Sequence, residues 1–215
     1  MTNDPIVLTP KSELSVLKEI ILSGGIIAYP TETFYGLGVD PFNKDAVKKL
    51  TALKGRPPDK PISILIKDAD DLLRVVANVP AAAKKLIKNF WPGPLTIILK
   101  ARETLPGEVT AGTNTIGVRV SSSPIAACIM DVITTPLTAT SANPEGAPPA
   151  RSARECIDYF GTELSAVIDG GESTALRPST LVDASEDKIS ILREGDISSN
   201  DVNKIIKEDQ NENHS

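Results

Sequence analysis

Short apolar runs bracketed by Gly and Pro alternate with segments whose apolar residues recur at helical spacing, and this alternation restricts the chain to an α/β class. The runs at 25–29, 62–66, 95–99, 116–120, 137–140, 166–168, 179–182 and 189–192 have strand length and strand composition. Between them, Leu14, Leu17 and Ile21 share one helix face, with Thr9 as N-cap, Pro10 at the first helical position and Gly24-Gly25 as the stop. Asn43 caps a second helix that buries Ala46, Val47, Leu50 and Leu53 and ends at Gly55. Residues 68–90 read as helix in two pieces broken near Pro80, and Trp91-Pro92-Gly93-Pro94 as a turn. Ser123-Pro124 opens a helix through Ile133, and Ser152 with Glu155 forms a capping box for another that stops at Gly161. Several strand pairs have no helix between them, so the expected fold is a single-domain, twisted, mixed parallel/antiparallel sheet flanked by helices. Residues 1–198 would form it, and 199–215 a short helix, 201–207, with a polar tail.

Composition narrows the chemistry more than the fold. At 215 residues, 40% of them hydrophobic, the chain can bury one core. It has no run of about 20 apolar residues and no basic, apolar leader at Met1, so a cytoplasmic protein away from membranes is expected. Cys128 and Cys156 are too few and too far apart for zinc or a disulfide framework and read as buried thiols. The one histidine, His214, lies in the polar tail, which removes every mechanism that needs an imidazole inside a folded site. A net charge of -5 and 4% aromatic residues argue against a protein devoted to a nucleic-acid backbone.

Positive charge is nevertheless concentrated. Residues 44–60 carry Lys44, Lys48, Lys49, Lys54, Arg56 and Lys60 against Asp45 and Asp59, leaving the remainder strongly acidic. A solvated helix face is one reading of this charge run. Lys54, Arg56 and Lys60 fall at and beyond the helix stop, among prolines, and cations on a stiffened loop suit a polyphosphate. Residues 29–38 and 140–146 combine hydroxyls, carboxylates and glycines after strands, as ligand loops do, and equally as turns held by local hydrogen bonds do. Arg119, inside an apolar strand, needs an anion, either a ligand or a salt-bridge partner; Arg193 presents the same choice. Walker A and Rossmann glycine patterns are absent.

The ordered set formed by 29–38, Lys54-Gly55-Arg56 to Lys60-Pro61, 91–96, Gly117-Val118-Arg119, Ser141-Ala142-Asn143, Pro178-Ser179-Thr180 and Leu192-Arg193-Glu194-Gly195 resembles the YrdC/Sua5 family of threonylcarbamoyl-AMP synthases, over about residues 12–197. The chain looks like the short, single-domain form. The resemblance implies a nucleotidyltransferase that makes L-threonylcarbamoyladenylate and pyrophosphate from L-threonine, bicarbonate or CO2, and ATP, for t6A at tRNA position 37. By motif, Thr33, Arg119 and Ser179 would face L-threonine. Arg56, Lys60, Thr115, Ser141, Asn143 and Arg193 would face ATP, with Lys54 and Arg56 serving the chemistry. Mg2+ would arrive with ATP, with no dedicated protein metal site. The implied partners are a downstream t6A transferase complex and tRNA, the latter through 44–60.

Ser121-Ser122-Ser123 and residues 174–177 depart from the commoner family pattern. Residues 170–178 or 142–150 are the expected closing loop. Replacing Arg56 or Arg119 by Ala should spare the fold, and a chain cut at about 198 should stay active if the tail is only a polar extension. Two other readings compete: a non-catalytic RNA-binding module, and a carbamoyl-adenylate-forming unit that uses carbamoyl phosphate.

Overall fold

Buried backbone must be hydrogen-bonded, and in the computed structural model, which describes residues 4–186 and 189–212, that pairing is made in two mixed sheets. The first runs β1 (Ile6–Leu8), β9 (Ala166–Ile168), β2 (Ile27–Tyr29), β3 (Gly36–Gly38), β8 (Thr140–Ser141). Its β1, β9 and β2 are parallel, and β3 and β8 return antiparallel. The second runs β11 (Ser190–Arg193), β10 (Thr180–Asp183), β5 (Leu95–Lys100), β6 (Thr115–Arg119), β4 (Ile64–Leu65), β7 (Leu137–Thr138). The mixed α/β class expected from the sequence holds, with its strands divided between the two sheets.

Helices cover the outer faces. Side-chain alternation along β2 sends Ile27 and Tyr29 into a core with α1 (Val16–Leu22) and α5 (Pro124–Ile133), and Ala28 into a second core with α2 (Lys44–Lys54). That second core also takes Ile97, Leu99, Ile116 and Val118 from β5 and β6, residues of α3 (Ala81–Phe90) and α6 (Ala153–Phe160), and Val109 of the short α4 (Gly107–Thr110). Thr96, Ile98, Thr115, Gly117 and Arg119 have the opposite parity and face away from the core, into the cavity described below.

Most helix signals are obeyed. Asn43 Oδ1 accepts from Ala46 N–H, and Gly55 ends α2 at φ 63°, a left-handed conformation that costs glycine little. Ser123 caps α5 with Pro124 at its first position, and Ser152 Oγ accepts from Glu155 N–H. Glu155 reaches back one residue further than a capping box requires, to Arg151 N–H.

Four expectations are corrected. Thr9 does not cap α1: residues 9–12 close their own turn, with Ser12 N–H on Thr9 C=O and Thr9 N–H on Ser12 Oγ, so the helix starts only at Val16. Residues 36–38, read as loop, are a strand; two glycines obscured it, and they are needed because a side chain at Gly38 would strike the Tyr29 ring at 2.9 Å. The run 137–140 is not one strand but β7 and β8, which belong to different sheets. Cys156 is buried as expected, whereas Cys128 is exposed on α5. His214 lies outside the described residues.

The C-terminal helix, α7 (Ser199–Glu212), is longer than expected and packs on α3; its Val202 is fully buried, and Ile205 and Ile206 lie against the same core. Cutting at 198 therefore uncovers core rather than trimming a polar extension. Truncation there should lower Tm. Val202→Ala should cost about 2 kcal/mol, or roughly 4–8 °C, in a thermal melt followed by circular dichroism.

Candidate active site

The two sheets diverge around a cavity of about 900 Å3. Its floor is the outward-facing row of β5, β6 and β10: Thr96, Ile98, Thr115, Gly117, Arg119 and Leu181. Gly117 keeps that floor low, since a side chain there would approach Ser63 Oγ to 2.9 Å and Thr96 Cγ2 to 3.1 Å. All ten residues singled out by motif, Thr33, Lys54, Arg56, Lys60, Thr115, Arg119, Ser141, Asn143, Ser179 and Arg193, line this one cavity, although they span 160 positions of sequence.

One end is cationic. Lys54, the last residue of α2, is 2% exposed, and its Nζ donates to the carbonyls of Ser141 and Asn143, the latter at 2.6 Å. Burial, reinforced by the Arg56 guanidinium and opposed by Glu145, pushes its amine down to about 8. Two of its three donors are thus committed to holding the 141–143 turn against α2. Arg56 donates from Nε to Lys60 C=O at 3.0 Å and from Nη2 to Pro61 C=O at 2.6 Å, which stiffens the proline-flanked loop. Lys60 Nζ meets Glu145 Oε1 at 2.8 Å, and that hydrogen bond holds the Glu145 carboxyl below its usual range. Ser141 Oγ donates to Asn143 Oδ1 at 2.5 Å, while Asn143 Nδ2 fixes the Pro144 and Ala147 carbonyls.

The other end surrounds Arg119. Its Nη1 donates to Glu32 Oε1 at 2.5 Å and to Thr33 Oγ1 at 3.2 Å, so the buried guanidinium does meet an anion from the protein itself. Arg193 donates from Nε and Nη2 to Ser179 C=O at 3.2 and 2.9 Å, and Ser179 Oγ shares a hydrogen bond with Thr96 Oγ1 at 2.9 Å. Burial and the nearby Arg119 both press the Arg193 guanidinium downward, which places the two arginines within electrostatic reach of each other. A guanidinium stays protonated regardless.

Arg119→Ala is consequently a poorer test than the sequence suggested. It would leave Glu32 buried without its counter-charge, at a cost of about 3–5 kcal/mol.

The basic stretch 44–60 divides. Lys44, Lys48 and Lys49 are exposed on α2, where Lys48 pairs with Glu108 at 3.5 Å, while Lys54, Arg56 and Lys60 turn into the cavity. Of the two candidate closing loops, 142–150 is tied down by Lys54 and by Ala150 N–H on Ala142 C=O. In 170–178, Tyr35 bonds both Gly170 and Gly171, Ser173 donates to Thr33 C=O, and Arg151 holds Ser173 C=O. Beyond these anchors Leu176 is 87% exposed.

Sequence reasoning gave no role to Thr96, Glu32, Glu145 or Asp183, of which Thr96, Glu145 and Asp183 line the cavity. For Thr96 the signal was its parity on β5, one residue out of phase with core Leu95 and Ile97. Glu32 and Glu145 were noticed only as the carboxylates of the loops 29–38 and 140–146, because the cation each one meets is distant in sequence.

The cleft between the two mixed sheets thus has a cation-lined end, of Lys54, Arg56 and Lys60, and an arginine-hydroxyl end, of Arg119, Thr33, Ser179 and Arg193. The Sua5/YciO/YrdC family model, which bears the description "Telomere recombination", matches residues 19–195. The chain belongs to that family. A threonylcarbamoyl-AMP synthase of Halorhodospira halophila is 41% identical over 160 residues, covering 74% of this chain and 84% of the relative. One from Pyrococcus abyssi is 35% identical over 196 residues, covering 91% of this chain but 58% of the relative, so the chain spans a little over half the length of that longer protein. The crystal structure of P. abyssi Sua5 complexed with L-threonine superposes with a TM-score of 0.89 at 34% identity, covering 94% of this chain and 61% of that one.

The Lys54 amine yields a pH prediction. In the unfolded chain it binds its proton up to about 10.4, but in the folded protein only up to about 8. Between these values the unfolded state holds more protons, so this group's contribution to stability rises with pH. Urea midpoints of the wild type minus those of Lys54→Met should increase from pH 7.5 to 10; a flat difference would refute the shift.

Proposed function

We propose that this chain forms L-threonylcarbamoyl-AMP, the product its relatives are named for, and pyrophosphate from L-threonine, bicarbonate or CO2, and ATP. The observation that carries the reading is the convergence on one cavity of a cationic end, Lys54, Arg56 and Lys60, and an arginine-hydroxyl end, Arg119 with Thr33, Ser179 and Arg193. Family membership and the threonine-bound relative support it.

In this reading the threonine amine, neutral on attack, bonds to the carbon of CO2 and loses one N–H proton to solvent, giving a carbamate anion. A carbamate oxygen then bonds to the ATP α-phosphorus as the bond to pyrophosphate breaks. The nucleophile is already an anion, so this step calls for positioning and charge stabilisation, with no histidine needed. Arg56 and Lys60 would take the pyrophosphate charge, with Thr115 and Ser141 donating hydroxyls to the nucleotide; Lys54 and Asn143 hold the Ser141 turn in place. Lys60 must exchange Glu145 for phosphate as ATP enters. Thr33, Arg119 and Ser179 would hold threonine, and Arg193 would sit between the two substrates.

Mg2+ would come as the complex with ATP: the phosphate end is dominated by cations, and its carboxylate, Glu145, is bound to Lys60. A cytoplasmic location, supply of t6A37 through a downstream transferase complex, and a weak tRNA contact through Lys44, Lys48 and Lys49 accompany this reading. Among the described residues no helix is long and apolar enough to cross a membrane.

Purified protein should release pyrophosphate from ATP only when L-threonine and bicarbonate are both present, with L-serine as control. Arg56→Ala should lower that turnover by roughly 10²-fold, the scale expected on losing a positioned donor, with its circular dichroism unchanged. Turnover with carbamoyl phosphate but not threonine would replace the reading with the carbamoyl-adenylate one. Salt-sensitive RNA binding without turnover would replace it with the RNA-binding one.

A further inference from the structure

Arg119 spends both hydrogens of one nitrogen inside the protein. Nη1 donates to Glu32 Oε1 at 2.5 Å and to Thr33 Oγ1 at 3.2 Å. Its other donors, on Nη2 and Nε, have no protein partner among the described residues, and Arg119 lines the cavity. That remaining edge is the one that docks a carboxylate through two parallel hydrogen bonds. Its aim depends on what grips Nη1, because a guanidinium on a long stem has no orientation of its own.

Glu32 is itself gripped. Ser121 Oγ donates to Glu32 Oε2 while accepting the Ser123 backbone N–H at 3.1 Å, in the turn that opens α5. Glu32 is 13% exposed at its side chain and Arg119 8%, so the pair is little loosened by water. Glu32 comes from the loop after β2 in the first sheet, and Arg119 and Ser121 come from the end of β6 in the second. The pair therefore fixes Arg119 relative to the hydroxyls that share its end of the cavity. It also offsets the charge of Arg119 itself, so that at this residue a ligand would be chosen by the two-point fit of a carboxylate more than by attraction.

We propose that Glu32, held by Ser121, is the positioning residue of the amino-acid end: it locks Nη1 of Arg119 so that the Nη2–Nε edge is presented to the substrate carboxylate. This rests on the reading of that end as the threonine site. Glu32→Gln keeps an oxygen that can accept from Nη1 but removes the charge, whereas Glu32→Ala removes both. Geometry as the cause predicts that Glu32→Ala raises the threonine Kd and KM at least tenfold, with kcat falling less than threefold and the ATP KM unchanged. Glu32→Gln should then stay within threefold of wild type, and Ser121→Ala should fall between the two.

The measurements are calorimetric titration with L-threonine and steady-state pyrophosphate release, together with 15N spectra of the Arg119 side chain without ligand. In those spectra, slow guanidinium rotation should be seen in wild type and Glu32→Gln and be lost in Glu32→Ala. An unchanged threonine Kd in Glu32→Ala overturns the proposal, and so does equal weakening by Ala and Gln, which would make charge the cause. If Glu32→Ala fails to fold, Ser121→Ala decides: no rise in threonine Kd overturns the proposal. If wild-type protein binds no threonine, the functional reading falls, and the ligand-free spectra alone decide whether Glu32 orients Arg119.

Discussion

Thr138 is stitched to both sheets at once, and the cavity exists because of that stitch. Its backbone pairs with Ile64 in the second sheet, while its N–H donates to Val39 C=O just beyond β3 of the first. Its hydroxyl accepts from Val39 N–H at 3.0 Å and donates to Leu37 C=O at 3.2 Å, and its carbonyl receives the Tyr29 hydroxyl at 2.9 Å. The residue is fully buried, so each of these groups would cost about 1–3 kcal/mol if left unpaired. Two residues later the chain has crossed into β8. Because the handover is short and fully bonded, the sheets are joined tightly at this point and diverge beyond it. The space between them is lined by polar side chains from both.

That geometry explains how so many cations coexist in one cleft. None is left bare. Lys54 is held by carbonyls, Arg56 by carbonyls, Lys60 by Glu145, Arg119 by Glu32 and Arg193 by Ser179. In a preorganised cluster of this kind the repulsion between the cations has already been met in folding. The partners differ in permanence. Lys60 and Glu145 are about half and two-fifths exposed and can be exchanged, whereas Arg119 and Glu32 are buried and cannot. The cationic end around Lys60 is thus the more adaptable and the arginine-hydroxyl end the more rigid.

Legibility in the sequence followed the range of the interaction concerned. Asn43, Gly55, Ser123-Pro124 and Ser152 signalled helix ends correctly because a cap is bonded within four residues of itself. Thr9 and Pro10 misled because the same local bonds can close a turn as readily as cap a helix. Ile6–Leu8 was not seen at all: a three-residue edge strand exists only because β9 lies beside it. Val202 was read within a short terminal helix with no part in the core, because so few apolar residues do not announce a buried face, and only α3 reveals what it covers.

By itself, the sequence determined the α/β class, most helix ends and the set of motif residues that proved to share one cavity. These depend on local periodicity, capping and the identity of side chains. Tertiary structure alone decided that residues 137–141 pass between two sheets, that Lys54 is a buried tie rather than a free charge, and that Arg119 is already paired with Glu32. Each of those facts is a contact between residues some 70 positions or more apart. Side-chain chemistry states what such a group needs, and only the packed fold states which partner meets the need.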